Sequence, residues 1–94
     1  MVRIIWSPYA IDDLEGICNY IIKDSEHYAR LFAQGVINAI ERLEIFPESG
    51  RIVPEYYQKS IREIIFQNYR IIYQIKPDAV EIVAIMHGMR LMGN

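Results

Sequence analysis

The sequence predicts an α+β fold of order β-αα-βββ, with an N-terminal strand and a helical hairpin packed on a small antiparallel sheet. Three observations predict it. Apolar residues recur at helical spacing through two segments separated by a tight break at Lys23–Ser25. The second half instead carries short runs rich in Ile, Val and Tyr. Those runs are joined by the two-residue links Gln67-Asn68 and Pro77-Asp78, which suit hairpins. At 94 residues the chain is expected to form one domain spanning 1–94, near the size at which a single hydrophobic core suffices.

Val2, Ile4 and Trp6 alternate with Arg3 and Ile5, the pattern of a short strand. Ser7-Pro8 then starts a helix, with Ser as N-cap and Pro at the first position, where no N–H is needed. Asp12 and Asp13 lie near this end, where the helix dipole favours negative charge. Ala10, Leu14, Ile17, Cys18, Ile21 and Ile22 carry the apolar stripe to about Lys23. Asp24 or Ser25 caps a second helix, whose stripe runs from Ala29 through Phe32, Val36, Ile40 and Leu43 to Phe46. It is expected to end there, because Pro47 disfavours helical backbone in the residue before it. So short a break makes the two helices antiparallel.

Residues 47–58 hold two prolines, a glycine and two tyrosines and read as an irregular connection with a short extended piece. Strands follow at about 60–66, 69–76 and 79–87. Counting outward from the two-residue turns puts Arg62, Ile64, Phe66, Tyr69, Ile71, Tyr73, Val80, Ile82, Ala84 and Met86 on the face that meets the helices. The other face carries Glu63, Ile65, Arg70, Ile72, Val83, Ile85 and His87. Arg70 then stands opposite Ile85 and diagonal to His87.

Composition narrows the function classes. An apolar content of 52% with 23% charged residues is that of a globular protein and not of a disordered one. A net charge of −2 argues against a general polyanion binder. Residues 1–47 carry four basic and seven acidic side chains, residues 48–94 six and five, so an anion-facing surface is local to the second half. Cys18 is the sole cysteine, which excludes an intramolecular disulfide and a Cys-based zinc site and suits a reducing cytoplasm. No secretory signal or membrane-spanning run is read, and a cytoplasmic location is expected. His27 and His87 stand apart with no metal-ligand spacing, and there is no Gly-rich phosphate loop; no metal and no cofactor are expected.

Four arginines and one histidine lie along the β-rich half: Arg51, Arg62, Arg70, His87 and Arg90. Arg70 interrupts an apolar strand, where a permanently charged fork is suited to hold a phosphate; the alternative is an ion pair with Glu63 or Glu81. His87 ends the last strand, and histidine is a residue type suited to serve as general acid or base; the alternative is a surface histidine. Arg51 could reach across a groove beside the sheet or simply be solvated. Arg62 falls on the core face, where its stem packs and its head stays at the edge. Tyr56 and Tyr57 could stack on bases or cover the core. The tail after His87, with Met89, Leu91 and Met92, is apolar and hints at docking on a partner. Asp12, Asp13, Glu15, Glu41 and Glu44 read as a solvated helix face.

Taken in order, Trp6-Ser7-Pro8 with Ala10 and Asp13-Leu14, Phe46-Pro47 with Gly50-Arg51, Val53-Pro54-Glu55, Arg62-Glu63, Tyr69-Arg70-Ile71-Ile72-Tyr73 and His87-Gly88-Met89-Arg90 resemble the RelE/ParE superfamily of type II toxins over nearly the whole chain. The resemblance implies a RelE/ParE-like fold, a helical hairpin on a small antiparallel sheet. It also implies a cognate antitoxin protein whose extended or helical C-terminal segment wraps the toxin.

Two mechanisms are implied, from different classes. ParE-like members poison DNA gyrase by binding it; RelE-like members are ribosome-dependent endonucleases that cut mRNA without a metal. Arg70 matches the arginine of the family's Tyr-Arg strand, and Arg90 the one after the last strand. Arg62 stands where RelE-like nucleases have a lysine, Ile64 where they have a second, and Asn94 precedes the position of their C-terminal tyrosine. The His87-Gly88-x-Arg90 ending is more similar to ParE. Under the gyrase reading Arg70, Arg90 and the tail residues Leu91 and Met92 are binding determinants. Under the nuclease reading Arg70, His87 and Arg90 are catalytic, Arg51 and Arg62 bind substrate, and the ribosome and mRNA are the partners. A third expectation is a degenerate homologue that only binds its antitoxin.

Overall fold

A computed structural model describes residues 1–89 of the chain. Strand β1 (Arg3–Trp6) leads into α1 (Pro8–Ile22) and α2 (Glu26–Glu41), followed by a 3₁₀ turn at Arg42–Glu44. Strands β2 (Arg51–Ile52), β3 (Ile61–Phe66), β4 (Tyr69–Ile75) and β5 (Ala79–His87) complete the sheet. Its order is β1-β5-β4-β3-β2. The expected meander is present as β3-β4-β5, but the sheet as a whole is mixed, because β1 pairs parallel with β5, Arg3 opposite Ala79 and Trp6 opposite Ile82. No described helix is long and apolar enough to cross a membrane.

Both helices start as their caps dictate. Ser7 keeps an extended backbone, and its hydroxyl accepts the Ala10 N–H at 3.1 Å, satisfying one of the N–H groups a helix start leaves without a partner. Ser25 does the same for Tyr28 at 3.1 Å. The end of α2 departs from expectation. The helix stops at Glu41 and tightens into the 3₁₀ turn, leaving Ile45 and Phe46 outside it and each 63% exposed. The tighter turn presents the Glu44 carbonyl to the Val2 N–H at 3.1 Å, which ties the start of the chain to the end of the hairpin.

Phe32, Val36, Ile40 and Leu43 from the second helix region meet Ile71, Tyr73, Val80, Ile82 and Ile85 from the sheet in one buried cluster. Phe66 closes its far end. Its ring lies directly over Gly35, where a Cβ would come within 2.2 Å of it, and it tilts against Phe32 at 5.7 Å.

The register corrects the face assignment of the last four strand residues. Tyr73 pairs with Ile82 as counted, but Ile72 pairs with Ala84, so Val83 is an extra residue in β5. Beyond this bulge every side chain changes face. Ile85 is buried in the core, 3% exposed, and Ala84 and Met86 turn to the outer face opposite Ile72 and Arg70. His87 pairs with Tyr69, on the helix side, and no longer shares a face with Arg70. A bulge leaves ladder groups without strand partners, and α1 supplies replacements. The Ser7 hydroxyl donates to the Val83 carbonyl at 3.0 Å, and an Asp13 carboxylate oxygen accepts the Ile85 N–H at 2.9 Å. Asp13 is therefore not one of the solvated acidic positions.

Replacing Asp13 with Ala strands the Ile85 N–H, and a loss of about 1–3 kcal/mol is expected, read as a lower denaturant midpoint with faster hydrogen exchange at Ile85. Asp13→Asn retains an acceptor oxygen and should lose clearly less in the same measurement.

Candidate functional site

The outer face of the sheet, away from the helices, holds the densest charge cluster among the described residues. Glu63 on β3 has no exposed side-chain surface, and the Arg70 side chain on β4 is 5% exposed. Arg70 Nε donates to Glu63 Oε1 at 2.6 Å, while its two Nη groups donate to the Glu55 carboxylate at 2.8 and 2.9 Å. The other Glu63 oxygen accepts from Arg51 Nε, so one buried carboxylate bridges two arginines. The bond to Glu55 raises the Arg70 pKa above the ordinary arginine value against the opposing effect of burial, and the guanidinium stays charged. Of the two ion-pair partners read for Arg70 in the sequence, Glu63 is present and Glu81 is not; Glu81 faces Lys76 at 3.0 Å. Glu55 was unforeseen as a partner, because a loop residue has no strand periodicity to place it, although it stands in the Val53-Pro54-Glu55 segment.

The network fastens the turn after β2 to the sheet. Val53 is buried, its N–H donates to the Ile61 carbonyl at 3.1 Å, and Ile72 on β4 is fully buried outside the main core. The preceding loop is held from the other side by Tyr73. Its hydroxyl donates to the Pro47 carbonyl at 2.8 Å and accepts the Gly50 N–H at 2.9 Å. Gly50 is required by space, since a Cβ there would sit 2.5 Å from the Tyr73 oxygen and 2.6 Å from the Glu63 carbonyl. Arg62 completes the loop. Its Nε donates to the Lys59 carbonyl at 2.9 Å and its Nη1 to the carbonyls of Glu48 and Gly50 at 3.2 and 3.1 Å.

His87 lies across the sheet from this cluster. It is exposed, its ring stands edge-on to Tyr69 at 5.7 Å, and its Nδ1 accepts the Met89 N–H at 3.2 Å. It lines a recess of about 350 Å³ with Asp12, Tyr20 and Tyr69. The structure thus brings Arg51 and Arg70 together on the outer face, sets the head of the core-face Arg62 at the same edge of the sheet, and places His87 on the helix side. Arg90, Leu91 and Met92 lie outside the described residues.

Two surface features escaped the sequence reading. An apolar groove of about 460 Å³ runs between β1 and the helical hairpin, floored by Ile4, Trp6, Leu14 and Ile40, with Glu15, Glu41 and Glu44 at its margin. A mixed groove of about 510 Å³ lies beyond the other side of α2, where Arg42, Phe46 and Arg51 face the edge of β3. The helix stripe could have shown the first, since it carries more apolar residues than one sheet face covers.

Burial pushes the Tyr73 phenol above its ordinary value of about 10. The folded state therefore loses stability as pH rises through the unfolded value toward the folded one, and keeps it fully below. Tyr73→Phe should unfold about 1–3 kcal/mol more easily at neutral pH and lack that part of the alkaline decline, by denaturant titration across pH. Arg70→Ala leaves the Glu63 carboxylate buried with one partner fewer, and a loss of about 3–5 kcal/mol is expected. Arg70→Met combined with Glu63→Met should recover most of it.

The comparisons with known proteins follow the same line. The family model described as the ParE toxin of type II toxin-antitoxin system, parDE, matches residues 4–92. The protein named Toxin RelE2 from Caulobacter vibrioides is 32% identical over 92 residues, covering 97% of this chain and all of that one. A solved structure titled as the chromosomal ParDE TA system from P. aeruginosa superposes with a TM-score of 0.76 at 18% identity, covering 93% of this chain and 96% of that chain, and so shares its fold. With a family model matched from β1 through the end of the sheet and a full-length relative above 30% identity, the chain belongs to the ParE toxin family of type II toxin–antitoxin systems, within the RelE/ParE superfamily.

Proposed function

We propose that this toxin inhibits growth by binding DNA gyrase, as ParE-like members do, and that it does not cut mRNA. The observation that carries the reading is the separation of the nuclease candidates. A metal-independent ribonuclease needs its phosphate-holding arginines and its proton carrier on one surface, within reach of one scissile bond. Arg70 and His87 stand on opposite faces of the sheet, and the Arg70 fork is engaged by Glu55 and Glu63. Holding a phosphate there would require displacing a bidentate carboxylate from a nearly buried site, a poor start for catalysis. The family model's ParE description supports the same side. In this reading Arg90, Leu91 and Met92 contact the target, and Arg70 acts through the shape it gives the outer face.

The family implies a cognate antitoxin, and the apolar groove between β1 and the hairpin suits it. A partner helix would lay its apolar side over Trp6, Leu14 and Ile40 and set basic residues against Glu15, Glu41 and Glu44. The name of the Caulobacter relative favours a second reading, a ribosome-dependent mRNA endonuclease, in which Arg70, His87 and Arg90 act on the phosphate and Arg51 and Arg62 bind substrate.

Induced expression in a bacterial host separates the two. DNA breakage with filamentation and intact transcripts is expected, with full toxicity in His87→Ala and loss of toxicity when Leu91–Asn94 are removed. Rapid cleavage within translated codons, abolished by His87→Ala in a folded protein, would overturn the gyrase reading.

A further inference from the structure

Helix α1 contains a glycine that packing does not explain. Gly35 on α2 is required by the Phe66 ring, but a Cβ added at Gly16 would meet nothing within 4 Å. Glycine inside a helix is unfavourable against alanine because its backbone loses more freedom on folding, and here the fold gains no close approach in exchange. What the missing side chain leaves is space. Gly16 lines the recess of about 350 Å³ between α1 and the C-terminal end of β5. Asp12, Gly16 and Tyr20 follow one another at four-residue spacing on one side of the helix, so a carboxylate and a phenol flank the gap.

Tyr69 and His87 line the recess from the sheet. Phe32 and His87 stand edge-on to Tyr69 at 5.2 and 5.7 Å, which holds its ring in place. No lysine or arginine lines the recess, and among the described residues the Asp12 side chain has no hydrogen bond or ion pair. Asp13 meets only the Ile85 N–H, so its charge is not neutralised either. His87 accepts the Met89 N–H and adds no positive charge in that bond.

Aromatic rings beside uncompensated carboxylates attract a cation and repel a phosphate. A guanidinium suits them better than an ammonium, because it is flat and weakly hydrated and can stack on a ring while its fork meets a carboxylate. Size and exposure indicate its source. Small-molecule sites begin at about 300 Å³, so this recess has room for one side chain and not for a helix. Tyr20 is 70% exposed and His87 is exposed, which would leave a free ligand wet on one side. An arginine presented by a protein surface is covered by that surface.

We infer that the recess between α1 and the end of β5 receives an arginine side chain of a partner protein, with its guanidinium against the Asp12 carboxylate and its stem across Gly16 between Tyr20 and Tyr69. The recess shares no lining residue with the apolar groove beside β1 and contains none of the outer-face arginines, so the assignment rests on neither target reading.

The test titrates the ¹⁵N-labelled full chain at low salt with acetyl-Gly-Arg-Gly amide. Saturable shifts centred on Gly16, Tyr20, Tyr69 and His87 are expected, with a Kd on the order of 1 mM, as suits a single side chain. Asp12→Asn should weaken binding about fivefold. Gly16→Leu fills the recess from an exposed helix position and should abolish the shifts while raising the thermal midpoint. No saturable shift, equal affinity for the lysine or citrulline counterpart, tighter binding of methylguanidine alone, or full affinity in either folded variant would each overturn the proposal.

Discussion

One extra residue in the last strand decides which face of the sheet every side chain beyond it occupies. Val83 is tolerated because Ser7, the cap of α1, and Asp13, in its second turn, supply respectively the donor and the acceptor that the interrupted ladder lacks. The arrangement couples three elements. It caps α1, closes β1 onto β5 and turns Ile85 inward to complete the core. A strand without the bulge would expose Ile85 and set His87 beside Arg70. The chemistry open to the outer face therefore depends on two polar side chains of the first helix, more than seventy residues earlier in the chain.

The charges on that outer face are structural in their present state. Burying a carboxylate as completely as Glu63 is costly unless it is paired and hydrogen-bonded on both oxygens, and Arg51 and Arg70 meet that condition. Both Nη groups of Arg70 then donate to the Glu55 carboxylate. The hydroxyl of Tyr73 and the guanidinium of Arg62 do equivalent work on the loop at 47–50, which would otherwise leave carbonyls and an N–H unmatched. Arg51, Arg62 and Arg70 thus organise loop and sheet.

Much of this was legible in the sequence, for reasons particular residues make plain. Ser7-Pro8 and Ser25 announce their helices through local bonds that need no tertiary context. Gln67-Asn68 and Pro77-Asp78 leave no room for anything but hairpins, so β3, β4 and β5 fall close to their expected bounds. Arg62 also behaves as its core-face position implies, with its head reaching the edge. The bulge was hidden, because a single inserted residue within Ile-Val-Ala-Ile has no compositional mark. The parallel partner of β1 and the Glu55 clamp were hidden for a related reason. Each is a contact between segments far apart in sequence, and short-range periodicity carries no information about it. The end of α2 was misplaced because Pro47 sets only the last residue a helix can reach, whereas the Val2–Glu44 bond ends it earlier.

The pairing of the first strand with the last has a consequence for synthesis. Ser7 and Val83 are 76 residues apart, and β1 has no other strand partner among the described residues. While the chain is being made, the helical hairpin can form from local contacts, but its apolar side has no finished sheet to rest on. The sheet closes only after β5 has emerged, so the final surface, with whatever inhibitory capacity it carries, is assembled after the ribosome has completed the strand. For a member of a toxin–antitoxin family, late closure separates manufacture of the chain from completion of the surface that a partner would meet.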